Sequence, residues 1–320
     1  MSLRRQVRKL SIVVPVYDEQ DAVAPFLRRA RPSVEEALGL MGEGAMAEWL
    51  FVNDGSQDAT RVVITEIASR EPGVKLLNLS RNFGKEAAIA AGIDHASGDA
   101  VIPIDVDLQD PPEVIPRLVE RWLDGAQVVN AKRANRDADG RAKRLTARWF
   151  YRLYNRLAEH EIPENVGDFR LLDHEAVAVL RRLPEQSRFN KGLFSWIGFR
   201  VETLEYSREA RGSGESKWPA RRLWRLALDG ITSSTTAPLR IWSYVGVVVA
   251  LLAIGYAAFL VVYTLAFGAD APGYASIMVA VLGLGALNLL SMGVLGEYVG
   301  RIAVEVRRRP LYVVESRVGF

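Results

Sequence analysis

The chain predicts an α/β fold, a mostly parallel sheet with helices on both faces, followed by two membrane-spanning helices. Three observations carry the prediction. Short apolar strands alternate with helical patterns through the N-terminal part, which argues for a parallel sheet covered on both sides. Charge is divided unevenly: residues 1–240 carry most of it, and 241–299 almost none. Acidic residues close three of the strands, at the edge where open α/β sheets bind ligands.

The elements follow in order. Ser11–Val16 is a short buried strand. Glu19 to Leu38 has helical spacing, but Pro25 and Pro32 predict a helix that is broken or starts late. Glu48–Asn53 is the next strand, Asp54-Gly55-Ser56 a turn, and Ser56 a candidate cap for a helix reaching Arg70. Val74–Leu79 is a third strand and Gly84 to Ala96 a helix. Ala100–Ile104 is the fourth strand, Pro112–Leu123 a helix, and Val128–Ala131 a fifth strand. A basic-aromatic helix is predicted over Arg141 to Leu157, then a strand at Phe169–Leu172 and a helix from His174 to Arg182.

Ile241–Phe267 and Tyr274–Val299 are apolar and long enough to cross about 30 Å of hydrocarbon. Arginines 221, 222, 225 and 240 precede the first span, and arginines 301, 307, 308 and 309 follow the second. The loop between has one acid and no base, so the positive-inside rule places both termini in the cytoplasm. Trp218 to Ile231 mixes Trp, Leu and Arg like a helix lying in the membrane interface, or like an amphipathic helix packed on protein. The predicted division is a catalytic domain over 1–217, a juxtamembrane segment over 218–240, spans at 241–267 and 274–299, and a cytoplasmic tail over 300–320.

Composition narrows the classes. A net charge of +3 is too mild to imply nucleic acid as a partner. There is no cysteine, which excludes disulfides and thiolate chemistry. His95, His160 and His174 are scattered and make a poor metal site. Met1 to Lys9 is basic but leads into a strand, so no cleavable signal peptide is expected.

Three strand-end loops should converge: Pro15-Val16-Tyr17-Asp18-Glu19, Asn53-Asp54-Gly55-Ser56, and Asp105-Val106-Asp107-Leu108-Gln109. Each alone is an ordinary turn. Together they suggest a nucleotide-diphosphate site. Tyr17 can stack on a base, and Asp54 can accept hydrogen bonds from a base or ribose. Asp105 and Asp107 offer hard oxygens that suit Mg²⁺ or Mn²⁺ bridging a diphosphate.

These stretches resemble the GT-A-fold, family 2 glycosyltransferases of the polyprenyl-phosphate type. More narrowly, they resemble the bactoprenol (undecaprenyl-phosphate) glucosyltransferases of O-antigen modification. Arg81-Asn82-Phe83-Gly84-Lys85-Glu86, Asn165-Val166-Gly167-Asp168-Phe169-Arg170-Leu171 and Leu295-Gly296-Glu297-Tyr298-Val299-Gly300-Arg301 extend the likeness to nearly the whole chain. The resemblance implies that Pro15, Tyr17, Glu19 and Asp54 hold the uridine. It implies that Asp105, Asp107 and Gln109 form the metal site, with Arg81 and Lys85 near the donor. Arg133, Arg144 and Arg148 would meet the acceptor phosphate, where forked guanidiniums match phosphate oxygens. Arg208, Gly212, Ser213, Ser216 and Lys217 would form a mobile acceptor loop. Asp107 and Asp168 are the candidate catalytic carboxylates. Asp18 stands where the family often has Asn. Leu145-Thr146-Ala147-Arg148-Trp149 has Leu where processive synthases have the Gln of Gln-x-x-Arg-Trp, which disfavours a polymerising enzyme.

The resemblance implies an enzyme of the bacterial inner membrane that moves glucose from UDP-glucose to undecaprenyl phosphate with inversion. A homo-oligomer such as a tetramer and a flippase are its implied protein partners. The competing readings are another donor and acceptor, as in dolichyl-phosphate mannose synthesis or aminoarabinose transfer, or a non-catalytic scaffold that binds a nucleotide sugar. A dinucleotide oxidoreductase is disfavoured because the first strand–helix turn lacks G-x-G-x-x-G.

Overall fold

The computed structural model describes residues 9–134, 166–183, 185, 190–207, 237–267 and 273–320. The strands are β1 (Lys9–Val16), β2 (Met46–Asn53), β3 (Val74–Leu79), β4 (Ala100–Pro103), β5 (Val128–Arg133), β6 (Val166–Asp173), β7 (Val201–Tyr206) and β8 (Val314–Val318). The helices are α1 (Val23–Met41), α2 (Thr60–Arg70), α3 (Lys85–His95), α4 (Ile115–Leu123), α5 (His174–Leu180), α6 (Asn190–Trp196), α7 (Ala237–Phe267) and α8 (Tyr274–Arg307).

All eight strands form one sheet in the order β7-β5-β6-β4-β1-β2-β3-β8. β4, β1, β2 and β3 are parallel neighbours. β6 runs antiparallel to β4 and β5, and β8 antiparallel to β3. The mostly parallel sheet is therefore as the sequence predicts; β7 and β8 are additions to it.

Alternation along the strands builds the two layers. Leu10, Ile12, Val14, Trp49 and Phe51 pack under α1, α2 and α4. Val13, Leu50, Val52 and Leu77 face the opposite layer with α3, α5 and Phe194 of α6. A period of two sends successive residues to opposite faces, so a strand with both faces covered reads as a continuous apolar run.

Helix α1 starts late, at Val23, which leaves Pro25 in the first turn where no intrahelical N–H partner exists to lose. It continues through Pro32, held by the buried face of Phe26, Leu27, Ala30, Val34, Ala37 and Met41. Helix α2 is not capped by Ser56. It begins at Thr60, whose N–H donates to Asp58 Oδ1 at 2.9 Å.

The amino end of the sheet closes on a buried acid. Glu48 is 1% exposed and receives Lys75 Nζ at 2.7 Å, the Ser97 N–H and hydroxyl at 2.9 Å each, and the Ser11 hydroxyl. Burial alone would raise this carboxyl; the hydrogen bonds from Lys75, Ser11 and Ser97 overcome it and hold the pKa at about 2.

The predicted helix over 141–157 and the juxtamembrane segment up to Thr236 lie outside the described residues. The first apolar helix begins at Ala237 and the second runs on to Arg307, past position 299. Leu251, Leu252, Ile254 and Leu265 of α7, and Leu289 and Met292 of α8, expose most of their surface. Among the described residues no helix is long and apolar enough to cross a membrane. The stretch read as a tail contains β8, which returns to the catalytic sheet.

Candidate active site

The carboxyl ends of β1, β2 and β4 deliver the three predicted loops to one edge, and side-chain staples join the first two. The Asp18 N–H donates to Ser56 Oγ at 3.0 Å, and the Gln57 N–H donates to Asp18 Oδ1 at 2.7 Å. The Glu19 N–H donates to Thr60 Oγ1 at 2.9 Å, and the Gln20 and Ala59 ends are crossed by two further bonds. Asp18 has φ 54°, a left-handed conformation in which Asn and Asp are the favoured residues after glycine. The departure from Asn at this position thus keeps the backbone requirement. Gly55 has φ 72°, and a Cβ there would stand 2.5 Å from the Arg81 carbonyl carbon and 2.6 Å from the Asn82 nitrogen. Only glycine fits that turn.

Tyr17 is 44% exposed at the mouth of this edge, so its ring is open to a base. Pro15 precedes it at the end of β1, half-buried. Asp54 is buried, and its two oxygens accept from the Phe83 N–H at 2.7 Å and the Gly84 N–H at 2.8 Å. Burial raises its pKa against the pull of those amides. Asp54 here ties the second loop to the start of α3. The Arg81 guanidinium lies 4.0 Å over the Phe83 ring and donates to the Asn82 carbonyl at 2.9 Å.

The third loop brings in the acids. Lys85 Nζ stands between Asp105 Oδ2 at 2.7 Å and Asp168 Oδ2 at 2.9 Å. Desolvation opposes the ammonium, but the two carboxylates raise its pKa and keep it charged. Asp105 is raised by burial, with Lys85 opposing and Asp168 and Asp110 adding to the rise. Glu19 is raised by burial and by the charges of Asp107 and Asp105. The first and third loops therefore share one field, with the carboxylates of Glu19, Asp105 and Asp107 within it.

Asp107 accepts from the Gln109 N–H at 3.1 Å and from Gln109 Nε2 at 2.6 Å. Gln109 thus braces Asp107 rather than facing the same space. Leu108 between them has φ 57°, a strained setting for a branched side chain. Among the described residues no group of three acids or histidines is arranged to enclose a metal. The donor chemistry nonetheless fits a hard divalent cation. Two carboxylates carry oxygen donors, burial and the neighbouring Asp168 and Asp110 raise Asp105, and a cationic group, the Lys85 ammonium, already lies between Asp105 and Asp168.

Arg133 is turned inward. Its Nη2 donates to Asp110 Oδ1 at 3.2 Å and its Nε to the Tyr206 hydroxyl oxygen at 3.2 Å, while that hydroxyl donates to Asp110 Oδ1. Asp110 is 3% exposed, so this trio anchors the third loop to β5 and β7. Arg144, Arg148, Arg208, Gly212, Ser213, Ser216 and Lys217 lie outside the described residues. Four functional-looking residues are given no role by the sequence reading: Asp110, Tyr206, Thr60 and Arg170. Arg170 is 3% exposed, lies 4.1 Å over the Phe194 ring, and donates to the Gly167 carbonyl at 2.7 Å. Burial pushes it down to about 10 against the charges of Asp168 and Glu86. The position of Arg170 two residues after Asp168 on one strand was the available signal.

Residues 11–181 match glycosyl transferase family 2, and residues 237–302 match the GtrB C-terminal hairpin. The SfII prophage-derived bactoprenol glucosyl transferase of Shigella flexneri is 49% identical over 308 residues, 96% of this chain and 98% of that protein. The prophage bactoprenol glucosyl transferase homolog of Escherichia coli K12 is 48% identical over 96% of this chain and 98% of its own length. Glucosyl-3-phosphoglycerate synthase from Mycobacterium tuberculosis, solved with Mn²⁺, UDP-glucose and phosphoglyceric acid, is 20% identical over 71% of this chain and 79% of that one, with a TM-score of 0.45. Overlap at that level leaves donor and metal to be argued from this chain's own residues.

Proposed function

We propose a specific reaction for this chain, which belongs to glycosyl transferase family 2: it transfers glucose from UDP-glucose to undecaprenyl phosphate, the bactoprenol carrier, for O-antigen modification. The observation that carries the reading is the 49% identity over 96% of the chain, which spans the strand-end carboxylates and the hairpin together.

The acceptor is a phosphate monoester, with a charge of about −1.5 to −2 at neutral pH. It is already a nucleophile and needs no strong base. One phosphate oxygen attacks the anomeric carbon, the bond from that carbon to the β-phosphate oxygen breaks, and the electron pair leaves with UDP. Attack from the opposite face inverts the centre. Asp105 and Asp107 would hold Mg²⁺ or Mn²⁺, which neutralises charge on the departing diphosphate. Gln109 braces Asp107. Lys85 lies where its ammonium can meet the same diphosphate, and Asp168 aims it. In this reading Asp168 is a positioning carboxylate. Tyr17 stacks on uracil, with Pro15 and Glu19 beside it. The residues from 208 to 217, with Arg144 and Arg148, receive the lipid phosphate.

The GtrB C-terminal hairpin places the protein at a membrane. The last strand supports a common side for both ends: β8 belongs to the same sheet as β1, so the hairpin leaves from and returns to the catalytic domain. The arginines flanking the hairpin make that side the cytoplasmic face of the bacterial inner membrane. A homo-oligomer, and a flippase that receives the lipid product, complete the reading.

The test is UDP release by the full-length protein in detergent with undecaprenyl phosphate, Mg²⁺ and a panel of sugar nucleotides. Release with UDP-glucose above the other donors is expected. A different preferred donor would overturn the sugar, and no release with any donor would overturn the enzyme.

A further inference from the structure

We propose that Ser316, on the strand that follows the membrane hairpin, is a positioning residue for the nucleotide loops. It acts through a directed line of hydrogen bonds across the open edge of the sheet. The proposal rests on the donor-site reading above.

The line is continuous. Ser316 Oγ accepts from Asn78 Nδ2 at 3.0 Å. Asn78 Oδ1 accepts from Asn53 Nδ2 at 3.0 Å. Asn53 Oδ1 accepts from the Ser56 N–H at 3.1 Å, and Ser56 Oγ accepts from the Asp18 N–H at 3.0 Å. The line thus crosses β8, β3 and β2 and ends in the first two loops, at Asp18 between Tyr17 and Glu19.

Its direction is forced. The Ser56 N–H can only donate, so Asn53 must present oxygen to it and nitrogen to Asn78. Asn78 must then present oxygen to Asn53 and nitrogen to Ser316. Arg61 Nη2 also donates to Ser316 Oγ, at 3.4 Å, so the hydroxyl serves as acceptor from both sides. Asn53 and Asn78 are 3% and 1% exposed, and a buried amide left without its partner is costly. Without the Ser316 oxygen, the Asn78 amide keeps the orientation that Asn53 imposes but its buried nitrogen loses its acceptor. The amide is then held from one side only, and the support that Asn78 and Asn53 give the Ser56 turn weakens.

A strand that merely stabilises the sheet would act differently. Its ladder to β3 runs through backbone groups, including the Ser80 N–H to the Val313 carbonyl at 2.9 Å, and is untouched by losing one hydroxyl. Residues 308–313 are all that separate this strand from α8, so the hairpin and the nucleotide loops are joined through it.

The experiment measures UDP binding by calorimetry, and the KM values for UDP-glucose and for lipid acceptor, on full-length wild type and the variants Ser316→Ala, Ser316→Thr and Glu315→Ala. Ser316→Ala should weaken UDP binding and raise the UDP-glucose KM by about three- to tenfold, with kcat and acceptor KM within twofold. Ser316→Thr should restore both. Glu315→Ala, on the same strand as Ser316, breaks the 2.8 Å pair with Arg61 of α2 and should leave UDP binding at the wild-type level. Unchanged UDP binding in Ser316→Ala, equal losses in Glu315→Ala, or no rescue by threonine would overturn the proposal and leave the enzyme assignment standing. Wild type that binds no UDP would overturn both.

Discussion

Glu48 ties the stability of the catalytic domain to pH, and the size of the effect can be worked from its surroundings. The carboxyl titrates at about 2 in the folded chain, against 4.5 as the ordinary value. A folded pKa below the unfolded one stabilises the protein at pH above the unfolded value. That contribution is lost as pH falls through the folded value. The difference corresponds to about 3 kcal/mol at neutral pH. About half of this should be gone by pH 3, where the unfolded group is protonated and the folded group is still largely ionised. Urea denaturation of the full-length protein in detergent, followed by tryptophan fluorescence between pH 7 and pH 3, measures the slope. Glu48→Gln keeps the shape but removes the charge that Lys75 and Lys9 face at 2.7 and 3.4 Å. It should be less stable than wild type by about 3 kcal/mol at pH 7, and the gap should narrow steadily on acidification. Parallel pH curves for the two proteins would refute the reasoning, because the slope would then come from other carboxylates.

Asp107→Asn should lower transfer by about a hundredfold or more while circular dichroism stays unchanged, since among the described residues Asp107 braces only its own loop, through Gln109. Lys85→Ala removes the cation between Asp105 and Asp168, so Mn²⁺ titration without nucleotide, read by electron paramagnetic resonance, should show tighter binding while turnover falls. Gly55→Ala places a Cβ 2.5 Å from the Arg81 backbone in a left-handed turn, and should destabilise the domain by about 2 kcal/mol or more and weaken UDP binding, read by urea melts and calorimetry.

The sheet and the three loops were legible because their signals are local. A buried parallel strand is a run of apolar residues, as in Ile12-Val13-Val14, and an acid after such a run marks the ligand edge. The two late strands were not legible. In β7 only Leu204 and Tyr206 are buried, and β8 reads Val-Glu-Ser-Arg-Val with no buried residue. Its partner Asn78 lies 238 positions away, which no local pattern encodes. The site residues divide in the same way. Tyr17, Asp105 and Asp107 reach the edge their positions imply, whereas the partners that claim Asp54 and Arg133 are set by tertiary packing. A guanidinium in a basic stretch suggests phosphate; Asp110 and Tyr206 capture it here because β7 lies beside β5. Ser56 suggested a helix cap, and the approach of Asp18 from another loop gives it a different partner.

The antiparallel pairing of the last strand with β3 has a consequence for how the chain is made. During synthesis β3 emerges early and its outer side stays an unpaired rim until residues 314–318 leave the ribosome. Those residues follow the apolar hairpin, so the hairpin is made before the rim can close. An exposed rim of this kind invites pairing with other chains, which places the hazard of aggregation in the interval between translation of the third strand and translation of the eighth.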